Sequence, residues 1–156
     1  IQSIKISDIA IDPNDSSHYL AAAMAGLYEY SSGGSSWELR SQFNYTEAFS
    51  VEFDASDTFG NAFYSGAESY LYKTVDGGDS WSRSNSLRYP HFVNDIAIAA
   101  GNTDNVFVTT RYPGSVWKST NGGSILTEVL SSSFYDFGAV AVDPIDATTI
   151  SAGGGN

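Results

Sequence analysis

The chain of 156 residues contains no cysteine, so neither a disulfide framework nor a thiolate metal site is open to it. It is also short of cations: 7 Lys and Arg stand against 18 Asp and Glu, a formal net charge of −11. Nucleic-acid binding needs cations to neutralise phosphates, and this balance argues against such a partner. The same charge repels anionic membrane surfaces, and no apolar run approaches the roughly 18 residues that insertion requires. Histidine is scarce. His18 and His91 lie far apart in different strand contexts, the aspartates form no D-x-D-x-D-G run, and no metal site is expected. Neither a G-x-x-x-x-G-K phosphate loop nor a G-x-S-x-G nucleophile elbow occurs, and no cofactor is expected. The chain opens on Ile1 with no initiator Met, basic n-region or apolar h-region, the expectation for a processed or excised end. Ser, Thr, Gly, Tyr and Asn are abundant, which fits an extracellular or secreted protein, the expected location.

What is present repeats. Gly-Gly pairs fall at Gly33-Gly34, Gly77-Gly78 and Gly122-Gly123, spaced by 44 and 45 residues. Four residues after the first glycine of each pair come Trp37, Trp81 and Leu126, and five before it come Tyr28, Tyr72 and Trp117. A second landmark keeps the same beat: "DIAIDP" from Asp8, "SVEFDA" from Ser50, "DIAIAA" from Asp95 and "AVAVDP" from Ala139 begin 42, 45 and 44 residues apart. Each alternates apolar with small or polar residues, the period of a strand with two unlike faces. A repeat of that length built from short strands predicts a β-propeller, one four-stranded blade of ~44 residues per repeat. The single segment 1–156 divides into blade 1 at about 4–41, blade 2 at about 48–89, blade 3 at about 93–131 and a partial blade 4 at about 137–156. The expected fold is all-β, about three and a half blades, half of a seven-bladed ring.

Thr74-x-Asp76-x-Gly78-x-x-Trp81 resembles the Asp-box, or bacterial neuraminidase repeat, S/T-x-D-x-G-x-x-W. As a turn, Asp76 caps backbone N–H groups, Gly77 and Gly78 supply positive φ, and Trp81 fills space between blades. The other two copies, with Gly33, Gly34 and Trp37 and with Gly122 and Gly123, lack the Asp, and the third lacks the Trp as well. A turn tolerates such losses, whereas a catalytic motif does not. The blades resemble those of xyloglucan-cleaving glycoside hydrolases, sialidases, sortilin-type receptors and the photosystem II assembly factor, closest in style to the xyloglucanase, sortilin and assembly-factor type. That likeness implies the fold and leaves function open. Where the xyloglucanase type implies a catalytic aspartate, this chain has Ala23, Ala67 and Tyr112. The sialidase type implies three arginines and a Tyr–Glu pair, yet only Arg40, Arg83, Arg88 and Arg111 exist and no Arg-Ile-Pro motif is present. The assembly factor implies a basic patch, which four Arg and three Lys do not easily supply.

In a propeller the B–C and D–A loops share one face. Here they hold Tyr45, Tyr89, His91, Tyr112 and Tyr135, with Arg111 at the edge of one loop. These six are the expected ligand contacts. Aromatic faces beside carboxylates suit a sugar chain, and the competing role for each ring is plugging a gap between blades. Glu47, Glu68 and Asp136 are weak catalytic candidates, since glycoside hydrolysis needs two carboxylates about 5–9 Å apart. The expected function is a binding or structural module that contacts polysaccharide or protein, the alternative being part of a glycoside hydrolase. An unpaired blade edge needs covering, so further blades, from the parent protein or a second chain, are expected partners.

Overall fold

The computed structural model describes residues 5–31, 33–34, 36–41, 47–84, 87 and 91–155. Among these the protein is all-β and without helix. Strands β1 (Ile6–Asp12), β2 (Asp15–Ala23), β3 (Gly26–Tyr30) and β4 (Glu38–Ser41) form the first blade, an antiparallel meander in chain order. Strands β5 (Ala48–Phe53), β6 (Phe63–Ala67), β7 (Tyr70–Thr74) and β8 (Ser82–Arg83) form the second. The third contains β9 (Phe92–Ile98), β10 (Asn105–Arg111), β11 (Gly114–Thr120) and β12 (Thr127–Ser132). A two-stranded sheet, β13 (Asp136–Val142) with β14 (Ile150–Gly155), begins the fourth. The outermost strand of blade 2 has only two residues, although Ser84 extends the pairing through its N–H to the Leu71 carbonyl at 2.9 Å. The first strands lie side by side, β1 next to β5, β5 next to β9 and β9 next to β13. They are the inner strands of a radial array.

The alternation in the repeated strands decides how blades stack. Ile9 and Ile11 point to one face of blade 1, while Ala10 and Asp12 point to the other. We call the face bearing Ile9 leading and the opposite face trailing. Between blades 1 and 2, trailing Ala10, Leu20, Ala22 and Leu27 meet leading Val51, Phe53 and Phe63, with Tyr72 and Trp81 packed against them. Between blades 2 and 3, Tyr64 and Leu71 meet Val93, Ile96, Val106, Val108 and Leu126, flanked by Ile98 and Trp117. Apolar residues of leading faces thus interdigitate with apolar residues of trailing faces, alanines and leucines in the first seam and Tyr64 with Leu71 in the second. Each fully buried Leu, Val or Phe contributes roughly 1.5–3 kcal/mol, so the seams, rather than the individual sheets, hold the array together.

Two further devices join the blades. The Asp8 carboxylate accepts the Val51 N–H at 3.0 Å, and Asp95 accepts the Val140 N–H at 2.8 Å, each tying one inner strand to the next. At the equivalent place in blade 2 stands Ser50, too short for this, and its buried hydroxyl has no hydrogen-bond partner. The second device is the turn. Asp76 accepts the Ser80 N–H at 2.9 Å and the Ser80 and Thr74 hydroxyls, while the Gly78 N–H donates to Thr74 Oγ1 at 2.9 Å. Gly77 and Gly78 take φ of 70° and 92°, a region closed to most L residues. Hydrogen bonds from Ser80 hold the Asp76 carboxyl down at about 2. In the third copy Asn121 Oδ1 accepts from the Ile125 N–H and the Ser119 hydroxyl, reproducing the turn without a charge. Trp81 donates its indole N–H to the Gly78 carbonyl and stacks edge-on to Phe63. Leu126 is buried at the same place in the next seam. Trp37 stands on the leading face of blade 1, against Tyr30, and is 45% exposed.

Candidate functional site

The sequence of blade 3 builds one end of a cleft. The turn from β10 to β11 holds Tyr112 at φ 56°, in the left-handed region, and the turn from β6 to β7 holds Glu68 at φ 45°. Both positions cost local strain, typically about 1–2 kcal/mol for a side-chain-bearing residue. The Tyr112 N–H donates to Asp136 Oδ1 at 3.2 Å, which fastens this turn to the head of β13. Across from it the β12–β13 connection is shaped by Ser132, whose hydroxyl accepts the N–H groups of Phe134 and Tyr135. Gly114 lies so close to the Tyr135 carbonyl that a Cβ there would come within 1.9 Å, so only glycine allows the two loops to meet. The result is a cleft of about 400 Å³ lined by Tyr112, Pro113, Gly114, Ser132, Ser133, Phe134, Tyr135, Asp136 and Gly155. Its aromatic side chains are largely in solvent, Tyr112 62% and Tyr135 55% exposed.

Behind Tyr112, Arg111 reaches across two blades. Its guanidinium lies 4.8 Å from the ring centre of Phe49 and 5.9 Å from those of Phe92 and Tyr112. Phe92 stacks edge-on to both Phe49 and Tyr112. The group forms a continuous aromatic patch with a cation set in it, spanning the inner strands of blades 2 and 3.

The structure therefore brings together four of the expected site residues: Arg111, Tyr112, Tyr135 and Asp136. His91 sits elsewhere. It is half-buried, edge-on to Trp117 at 5.1 Å, with Nδ1 3.4 Å from Thr110 Oγ1. Glu68 is exposed on its turn and contributes its carbonyl to the Val93 N–H at 2.8 Å, while Glu47 is half-buried ahead of β5. Tyr45 and Tyr89 lie outside the described residues.

Two arrangements escaped the sequence reading. Phe49 was not among the expected contacts, because it begins a strand whose alternation assigns it to packing. The second is a buried chain of polar side chains in the seam of blades 1 and 2. His18 Nδ1 lies 3.1 Å from Asp12, His18 Nε2 lies 2.6 Å from Glu29, and Glu29 pairs with Arg40. Gly60 covers it, since a Cβ there would fall 2.1 Å from Asp12. A signal was present: Glu29, Lys73 and Lys118 each follow the aromatic residue of the third strand, a charge placed on an otherwise apolar trailing face. Lys73 lies 4.8 Å from the ring centre of Tyr64 and 3.7 Å from Asp54, and Lys118 lies 5.4 Å from that of Phe107. Among the described residues no group of three or more potential metal ligands is found.

Radial four-stranded blades, stacked through their faces and closed by this turn, define an Asp-box β-propeller. Within that class the chain belongs to the family described as photosynthesis system II assembly factor YCF48, whose model matches residues 1–143. Among solved structures it is similar to the GH74 xyloglucanase from Xanthomonas campestris, with 21% identity, a TM-score of 0.73, and 94% of this chain against 26% of that one. The GH74 enzyme of Niastella koreensis gives 16%, 0.75, and 94% against 28%. YCF48 bound to D1 peptide gives 24%, 0.61, and 80% against 40%. At these identities the likeness is one of fold, and the chain spans between a quarter and two fifths of the length of these structures. No curated protein matches the chain.

Proposed function

We propose that this chain is the ligand-holding part of a larger β-propeller protein, and that the cleft between blades 3 and 4 grips a carbohydrate chain. The observation that carries this reading is the cleft itself: Tyr112, Phe134 and Tyr135 present ring faces to solvent around a 400 Å³ space. Ring faces stack on the apolar faces of pyranoses, and the Ser132 and Ser133 hydroxyls and the free oxygen of Asp136 suit sugar hydroxyls. Aromatic rings more than half exposed at the rim of a cleft bury little for the fold, which favours a binding role over gap filling. Open blade faces are covered by further blades in this reading.

A protein segment is the second reading. It is favoured by family membership and by the YCF48 structure bound to D1 peptide.

Titration of the chain with a panel of neutral oligosaccharides and of extended peptides separates these. The expected result is saccharide binding that falls at least tenfold in Tyr112→Ala and in Tyr135→Ala, with no release of reducing sugar. Peptide binding without saccharide binding overturns the carbohydrate assignment. Release of reducing sugar that Asp136→Asn abolishes identifies an enzyme instead.

A further inference from the structure

Arg111 is held in an unusual way for a cation in so acidic a chain. Among the described residues no carboxylate lies within ion-pair distance of its guanidinium, whereas Arg40 and Lys73 both have one. Its Nε is buried and without a hydrogen-bond partner. Three rings, Phe49, Phe92 and Tyr112, fix the plane of the group. The same Tyr112 lines the cleft. The buried Nε leaves the two Nη groups as the donors a ligand can reach, and a guanidinium set among rings keeps that fork fixed in direction. Such a group is pre-organised for a planar oxyanion, which it binds through two parallel N–H···O bonds.

We infer that the ligand of this face carries a carboxylate, which Arg111 binds at the mouth of the array while the adjoining residue stacks in the cleft. Resting on the carbohydrate reading above, this identifies the ligand as a glycan bearing a uronic acid. The carboxylate is sparse along the glycan rather than on every residue. Asp136 lines the same cleft, Glu68 projects from the neighbouring turn, and the whole chain carries −11. One cation offsets one anion there, and a polyanion meets repulsion from the rest.

The test uses the full chain and two probes that differ only in charge: a xylo-oligosaccharide with one glucuronate branch, and the same compound with that carboxyl methyl-esterified. Binding is measured calorimetrically at two salt concentrations. The chain is expected to prefer the acid by about tenfold, equivalent to roughly 1.4 kcal/mol, and the preference shrinks at higher salt. In Arg111→Gln the preference for the acid over the ester disappears. Arg111→Lys keeps a charge without the fork and retains only part of the preference, which guards against a folding defect in the Gln variant. Equal affinity for both probes, or a preference that survives Arg111→Gln, overturns the inference and leaves the carbohydrate reading standing. Failure to bind either probe or any neutral glycan overturns both. Binding of an acidic peptide through Arg111, with neither probe bound, retains the anion site and overturns its assignment to uronate.

Discussion

Glu52 lies on β5 with its side chain turned to the trailing face, across the strand from the buried Val51 and Phe53. Burial pushes its carboxyl up to about 7, and the charges of Asp8 and Asp95 on the inner strands of the adjoining blades add to the effect. Two neighbours explain why no relief is available: Asp8 and Asp95 spend their oxygens on backbone N–H groups of the seams. The folded state therefore holds the Glu52 proton more tightly than the unfolded chain does. The stability this confers is full below the ordinary value of 4.5 and is lost as pH rises through about 7. At pH 8 the ionised carboxylate costs the fold up to roughly 3 kcal/mol. Replacement of Glu52 by Gln removes the titration and keeps the shape. Urea melts of both forms are expected to coincide at pH 4 and to separate at pH 8, with the variant the more stable. Equal melting at both values means that Glu52 is solvated as a surface acid.

At the scale of elements, the third and fourth strands and their turn act as a wedge driven into the seam before them. Trp81 fills the blade 1–2 seam against Phe63, whereas Trp37, at the same repeat position, faces solvent. Trp81→Ala is expected to destabilise the chain by roughly 2–3 kcal/mol, a little below the range for a wholly buried Trp, and Trp37→Ala, which loses the contact with Tyr30, by roughly 1 kcal/mol. Denaturant melts compare the two directly, and equal losses refute the wedge. The repeat made this architecture readable: glycine pairs and alternating apolar strands mark local geometry that short-range sterics enforce. Trp81 and Trp37 read alike in sequence, and only the presence of a neighbouring blade separates them. The cleft was partly legible, because Tyr112 and Tyr135 sit in turns where strand packing claims no side chain and Asp136 opens β13. Arg111 beside Phe49 was harder to see, since their contact depends on how two blades are rotated about the channel. His18 between Asp12 and Glu29 illustrates the same limit, with partners 6 and 11 residues away on strands whose register alone brings them together.

For the molecule as a whole, the first leading face is the unfinished part. In blade 2 the equivalents of Ile9 and Ile11 are Val51 and Phe53, both buried in a seam. On blade 1 the two isoleucines are 54% and 56% exposed, beside an apolar groove of about 290 Å³ lined by Ile6, Ala21, Ala23, Tyr28 and Trp37. At the far end, blade 4 presents small trailing residues, Ala139, Ala141 and Gly153, also in solvent. Apolar leading residues met apolar trailing ones in each complete seam, so the two ends of this chain carry the two kinds of face that pair. A head-to-tail contact of that kind is not self-limiting unless the rotation closes a ring. The chain alone is therefore expected to associate with rising concentration, giving light-scattering masses above 16.7 kDa. Glu at both Ile9 and Ile11 places charge where a trailing face must dock, and should return the mass to that of the monomer. Because neither side chain is buried within the chain, thermal stability at high dilution should change by less than about 0.5 kcal/mol. A wild-type chain that stays monomeric at every concentration rules out that pairing. A double variant that unfolds shows instead that the face supports blade 1 from within. If the association proves real and the variant stays folded, attaching a blade ahead of residue 1 should bury Ile9, Ile11 and Trp37 and raise the cost of Trp37→Ala to that of Trp81→Ala.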